Sequence, residues 1–413
     1  MRSTTLTPGF LAQRAVYLVL AAATLSLASC SLFSPQKSSS AVSPAAYDTT
    51  LNIADAVFRN DTGIARSVVS KGNNNRLWKF FEKARAGGTV RIGFVGGSVT
   101  GGAGASDLQH DFASIFCRHA SALFPNAAFE QINAGVGGTN STFGASRVRD
   151  DLLSHDPDLV VVEFAVNDDP ADTFTTMASM EGIVRQCLQN PEVPVLMLFY
   201  MNRTGDTADQ HLHAIIGEHY GLPLISYRNV CWPLVASGAI PLDSLFADSI
   251  HPNNRGHQLL AFLLLCFLSN TLGENSVDPG VPVATTLVSD VYERATCMKG
   301  GDSLVRIAAD TGWTETLGDF NRCAFQSLRS GDTLLISAHA RQLTIGYQLS
   351  TVTTSRVQIV VDSAAADTLW SSFPGSWMHL QRLYLDDPAL THKIRFTSLD
   401  SDTFAIDYVL YTP

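Results

Sequence analysis

The chain has 413 residues, with 28 Lys and Arg against 38 Asp and Glu for a net charge of -10, and 46% of its residues are hydrophobic. That length is more than one ordinary domain needs and predicts two or three, with ample material for a core. The acidic balance, with no run of Lys and Arg, argues against a nucleic-acid partner, because phosphates are held by clustered basic side chains.

Residues 1–29 read as a signal peptide: Arg2 and Arg14 precede an apolar run, Ala15 to Leu27, too short to span a bilayer as a mature helix. The run ends in Leu27-Ala28-Ser29-Cys30, which resembles the bacterial lipobox. The resemblance implies that Cys30 is lipidated and becomes the mature N-terminus, anchoring the chain to a membrane of the bacterial cell envelope on its periplasmic or surface side. The alternative is an ordinary signal peptide with an incidental cysteine. Residues 30–46 are rich in Ser, Pro and Ala and form a tether that cannot build a core.

From residue 47 to 274, apolar runs alternate with helical patterns. Strands are predicted over Thr89–Val95, Ala128–Asn133, Leu159–Ala165, Val195–Tyr200 and Pro223–Ser226. Helices are predicted over Arg76–Ala86, Phe112–Leu123, Ala145–Leu153, Phe174–Gln189, Asp209–Tyr220 and His257–Leu272. Strands apolar on both sides belong to a parallel sheet covered on both faces, so this part is a three-layer α/β domain. Residues 275–283 read as a linker. Beyond it, period-two strands over Thr333–Ala338, Gln342–Gln348, Val357–Val361, Lys393–Thr397 and Phe404–Tyr411 predict a β-sandwich over 284–413.

Cys117, Cys187 and Cys266 lie in apolar helical stretches and read as buried free thiols, whereas Cys297 and Cys323 are candidates for a bridge. No Cys or His spacing fits a zinc site, and His211, His213 and His219 read as a solvated helix face. Neither a metal nor a cofactor is expected.

In an open parallel sheet, side chains just past the carboxyl ends of strands converge on one crevice. Four stretches occupy such positions: Gly96-Gly97-Ser98-Val99-Thr100, the glycine-rich Asn133–Thr139, Phe164-Ala165-Val166-Asn167-Asp168, and Asp248-Ser249-Ile250-His251 before the last helix. The glycine-rich loops lack the spacing of a phosphate or dinucleotide cradle, and Thr100 breaks the GxSxG elbow of α/β-hydrolases.

Taken in order, the four stretches resemble the blocks of the SGNH hydrolases, also called the GDSL esterase/lipase family. Ser98, Gly138, Asn167 and His251 stand at the positions that give that family its four letters. The chain departs from the pattern where no Asp precedes Ser98 and where Ala165 replaces a glycine. The resemblance implies a flavodoxin-like α/β/α domain and a serine esterase with Ser98 as nucleophile, His251 as base and Asp248 orienting it. It also implies an oxyanion hole from the amides of Ser98 and Gly138 and the side chain of Asn167. In Gly138 the missing Cβ lets the amide approach the oxyanion, and Asp168 is expected to brace the Asn167 loop.

Resemblance to the family's carbohydrate esterases implies removal of small acyl groups, chiefly acetyl, from a glycan. Trp232, Tyr200 and Tyr227 near strand ends, and Trp313, Trp370 and Trp377 in the β-domain, are candidate sugar-stacking residues or core. A glycan O-acetyltransferase and a non-catalytic envelope glycan-binding protein are the alternatives.

Overall fold

A computed structural model describes residues 61–204, 209–272, 283–317, 322–373, 377–385 and 387–413. The signal segment, Cys30 and the tether lie outside the described residues, as does most of the linker. The chain forms two compact units: the described residues up to Cys297 together with Leu410–Pro413, and Met298–Val409.

The first unit is built on a six-stranded sheet. In chain order its elements are α1 (Asp61–Ser67), β1 (Val68–Ser70), α2 (Asn75–Ala86), β2 (Gly88–Gly96), α3 (Phe112–Leu123), β3 (Ala127–Gly135), α4 (Ser141–Asp151) and β4 (Leu159–Glu163). Then come α5 (Thr173–Leu188), β5 (Val195–Phe199), α6 (Gln210–His219), β6 (Leu224–Ser226), α7 (Tyr227–Ala236), α8 (Asn254–Thr271) and the short β7 (Thr296–Cys297). The strand order is β1-β6-β5-β4-β2-β3. β2 to β6 are parallel, and β1 closes one edge antiparallel to β6.

The apolar runs explain this architecture. Every residue of β4 and β5 is buried. Their side chains divide between two core clusters: Val161, Leu196 and Leu198 join α2, α3 and α8, whereas Val160, Val162 and Met197 join α4, α5 and α6. Burial on both faces is what a continuous apolar strand requires. Side-chain caps set several helix starts. Asp111 accepts from Ser114 N to begin α3, Asn140 from Phe143 N to begin α4, and Asn253 from Arg255 N and Gly256 N to begin α8. The last two caps start their helices earlier than periodicity predicts. β1 is too short to show a period, and Pro233 inside α7 conceals that helix from a pattern reading.

The segment 284–297, which composition assigns to the β-domain, packs on α5. Buried Glu181 accepts backbone N–H groups from Leu287 (2.6 Å), Val288 (2.8 Å) and Ser289 (2.9 Å), and also the Tyr220 hydroxyl (2.6 Å). Burial works against its charge, but these four donors outweigh it and hold the carboxyl below its usual range. Arg185 adds bonds to Glu293 and to the Ala284 carbonyl. Tyr292 lies so close to Gly182 that a Cβ there would stand 2.5 Å from its own.

The second unit holds two antiparallel sheets, the expected sandwich. One orders β15 (Trp377–Tyr384), β12 (Gln342–Leu349), β17 (Phe404–Thr412), β10 (Cys323–Ser327) and β9 (Thr314–Leu317). The other orders β14 (Asp367–Trp370), β13 (Arg356–Val361), β16 (His392–Ser398), β11 (Thr333–Ala338) and β8 (Val305–Thr311). Alternation along β16 buries His392, Ile394, Phe396 and Ser398 and exposes Lys393 and Arg395, as a half-buried strand should. Cys297 and Cys323 are both buried and form no disulfide, so the candidate bridge is not made; the Cys297 thiol donates to Ser146 O (3.5 Å).

Candidate active site

β2 ends at Gly96, and the chain turns so tightly that Gly101 N bonds back to Gly97 O (3.1 Å) and Ala103 N to Ser98 O (2.9 Å). The glycines are required by close approach. A Cβ on Gly96 would stand 2.1 Å from Thr100 Oγ1 and 2.4 Å from Glu163 O, and one on Gly97 would stand 2.4 Å from Asn167 Oδ1. Buried Arg147, from α4, clamps the strand ends beneath the turn by donating to Gly96 O (3.0 Å) and Ala134 O (2.6 Å). Ser98 is thereby presented at the carboxyl edge of the sheet.

His251 approaches from the segment before α8. Its Nε2 lies 2.9 Å from Ser98 Oγ, and its Nδ1 lies 2.7 Å from Asp248 Oδ2. The other oxygen of Asp248 accepts Ile250 N (2.7 Å) and His251 N (2.8 Å), so the carboxylate and the imidazole are fixed by one tight turn. Burial opposes ionisation of Asp248, but the bonds from the His251 backbone and ring and from Ile250 N prevail and lower its pKa. The relay is open on its acidic side, with the side chains of His251 and Asp248 25% and 53% exposed.

The loop after β3 abuts the serine turn: Val136 N bonds to Gly96 O (3.1 Å), and a Cβ on Gly135 would stand 2.2 Å from Gly101 N. Gly138 has φ +71° with open space beside its Cα, so the left-handed backbone, rather than room for a Cβ, accounts for glycine there. Asn167, in the loop after β4, lays its side-chain amide against Gly97. The structure thus assembles the predicted Ser98, His251 and Asp248 directly and brings Asn167 to the same turn. The glycine-rich loop carrying Gly138 reaches that turn at Gly135 and Val136.

Asp168 braces its loop as expected, through Ser141 N (2.7 Å), but it also meets His213 Nε2 (2.8 Å). His213 is therefore buried, and the expectation of a solvated histidine face fails there: α6 turns it toward a buried carboxylate. His211 is exposed, and His219 bonds to Thr285 O. Tyr200 and Tyr227 are core residues with ring centroids 5.1 Å apart, so they cannot stack on a ligand. Trp232 is half-buried against the core. Trp313 is buried beside Phe396, whereas Trp370 is 46% exposed with the Arg356 guanidinium over its ring. The Trp377 side chain lies outside the described residues.

Two further groups border the site with no motif to announce them. Glu163, at the end of β4, is buried. Its Oε1 accepts Ala165 N (3.1 Å) while Oε2 has no partner. Burial pushes its pKa up to about 8; the Ala165 bond works the other way, and the charge of Asp168 adds to the rise. His257, in α8, accepts Phe112 N at Nδ1 (3.3 Å) and donates from Nε2 to Ala103 O (3.1 Å). It joins the two ends of the loop that follows Ser98. Burial brings its pKa down to about 4; the Ala103 bond opposes the fall and the charge of His251 assists it.

Residues 94–259 match the GDSL-like Lipase/Acylhydrolase family. Among solved structures, the chain is similar to a two-domain esterase (CEX) active on acetylated mannans, with 27% identity and a TM-score of 0.77, covering 84% of this chain and 98% of that one. It is similar too to that esterase co-crystallized with mannopentaose, with 28% identity and a TM-score of 0.75, covering 84% of this chain and 97% of that one. No curated protein matches the sequence.

Proposed function

This chain is a carboxylic ester hydrolase, and from that premise we propose that it removes small O-acyl groups, chiefly acetyl, from an acetylated polysaccharide or cell-envelope glycan. The observation that carries the reading is the relay from Ser98 Oγ to His251 Nε2 (2.9 Å) and from Nδ1 to Asp248 (2.7 Å). A serine hydroxyl is a weak nucleophile without an adjacent base. His251 takes the proton of Ser98 as the oxygen attacks the acyl carbonyl, and returns it to the departing sugar hydroxyl. Water then attacks the acyl-serine with the same base and releases the carboxylic acid. Asp248 holds the ring so that Nδ1 carries its hydrogen toward the carboxylate and Nε2 is free to accept.

Negative charge develops on the carbonyl oxygen during each attack. The amides of Ser98 and Gly138 and the Nδ2 group of Asn167 are the donors aimed at it, each contributing on the order of 3–4 kcal/mol to the barrier reduction. Similarity over both domains to an esterase described as active on acetylated mannans supports an acetylated glycan as substrate. The Leu27-Ala28-Ser29-Cys30 sequence supports lipid attachment at Cys30 and a place on the cell envelope. No cofactor or metal enters this chemistry.

The test compares wild type with Ser98→Ala on p-nitrophenyl acetate, p-nitrophenyl butyrate and acetylated mannan, following acetate release from the last. Ser98-dependent hydrolysis with acetate preferred is the expected result. Acetyl transfer to an added glycan in place of acetate release would make the protein a transferase, and no turnover on any ester would make it a binding protein.

A further inference from the structure

We propose that His213 is a positioning residue for the oxyanion site, acting through Asp168 to hold the Gly138 and Asn167 donors at a fixed separation. The inference rests on the serine-esterase reading above and deepens it.

The two donors sit on different loops, Gly138 after β3 and Asn167 after β4. Within each loop the hydrogen bonds are local: Thr139 Oγ1 donates to Val136 O (2.7 Å), and Asn167 N donates to Phe164 O (3.0 Å). Asp168 joins them. It directly follows Asn167, and its Oδ1 accepts the amide of Ser141, three residues beyond Gly138 and the first residue of α4 (2.7 Å). Its Oδ2 meets His213 Nε2 on α6 at 2.8 Å, with both side chains almost wholly buried at 1% and 2% exposure. An ionised carboxylate only accepts, so Nε2 carries the hydrogen of this bond. One carboxylate therefore spans two donor loops, and a third element fixes its orientation.

A buried pair of this kind adds little stability over well-packed apolar residues of the same volume, because desolvation offsets the attraction. Geometry is what it supplies. Oxyanion donors must be aimed before charge develops, and a displacement near 1 Å is enough to cost about 10²-fold in rate. Without the anchor at His213, Asp168 is held by the Ser141 amide alone, its orientation is no longer fixed from a third element, and the spacing of the two donors loosens.

The experiment measures kcat and KM on p-nitrophenyl acetate per active site, with sites counted by fluorophosphonate labelling of Ser98. His213→Ala is expected to lower kcat by about 10²-fold with KM changed less than about twofold. His213→Gln, whose amide can donate to Asp168, is expected to recover most of that loss. In an Asn167→Ala background the His213→Ala loss is expected to shrink, because both changes act on one site. Should His213→Ala fail to fold, His213→Met fills the space without a donor and carries the same prediction. A kcat within about threefold of wild type for the donor-less variant, or losses that simply multiply with Asn167→Ala, would overturn the role of His213. Wild type that neither takes the label nor turns over would overturn the esterase reading, and this inference with it.

Discussion

His251 Nε2 stands 2.9 Å from Ser98 Oγ across 153 positions of sequence, and the contact is made from two independently braced segments. Gly104 brings them together: with φ +90°, its Cα passes so close that a Cβ would lie 2.2 Å from Pro252 O and 3.0 Å from His251 Cβ. That packing seats the serine turn directly against the segment that carries His251. Ser98→Ala and His251→Ala are each expected to lower kcat by at least about 10³-fold, and the double variant to be little worse than either, because the residues act as a unit. Steady-state kinetics on an aryl acetate, with circular dichroism to verify folding, checks this; a folded single variant with near-wild-type kcat would refute the assignment.

Asn167→Ala is expected to reduce kcat by about 10²–10³-fold with little change in KM, since its amide gains most as charge develops. Gly97→Ala is expected to act in the same direction, because its new methyl would occupy the place of the Asn167 amide. If either variant raised KM and left kcat intact, Asn167 would be a substrate-positioning group.

Glu163 makes stability depend on pH from the alkaline side. Its carboxyl titrates near 8 in the folded protein, above its ordinary 4.5, so the folded state binds the proton more tightly than the unfolded state. Its contribution is complete below about 4.5 and is lost as pH rises toward 8, at up to about 1.4 kcal/mol per unit. Chemical denaturation between pH 5 and 8, comparing wild type with Glu163→Gln, reads this as a declining difference; parallel curves would count against it.

His257 acts from the acid side. Its pKa of about 4 lies below the ordinary 6.5, so its contribution is present above 6.5 and is lost as pH falls through 4. Protonation removes the Nδ1 acceptor of Phe112 N and loosens the loop after Ser98. Melting temperatures from pH 7 to 4 are expected to fall less steeply for His257→Gln than for wild type, and equal slopes would refute the role.

The candidate site was legible in the sequence because it is drawn from short contiguous stretches, Gly96–Thr100 and Asp248–His251 above all, whose neighbours in the chain are also neighbours in space. The parallel strands were legible for a related reason: residues such as Val160 to Val162 and Val195 to Phe199 are apolar on both faces. What stayed hidden depends on long-range contact. Nothing local distinguishes His213 from exposed His211 except which side of α6 meets Asp168. Buried Tyr200 and Tyr227 carry the same letters as a sugar platform would. Arg147, a charge in a helix, discloses its place beneath Ser98 only through Gly96 and Ala134.

The grip of Glu181 on Leu287, Val288 and Ser289 bears on how such proteins can be shuffled. Composition shifts near Asn275, yet a chain stopped there would leave the Glu181 carboxylate buried without three of its four donors and Gly182 without Tyr292 against it. Removing the partners of a buried charge destabilises far more than the pair itself contributes. The seam visible in the sequence is therefore not the seam of cooperative folding. A β-domain exchanged between relatives keeps the first unit intact only if the graft replaces Met298–Val409, leaving the strip from Ala284 onward with α5 and Leu410–Pro413 with β7.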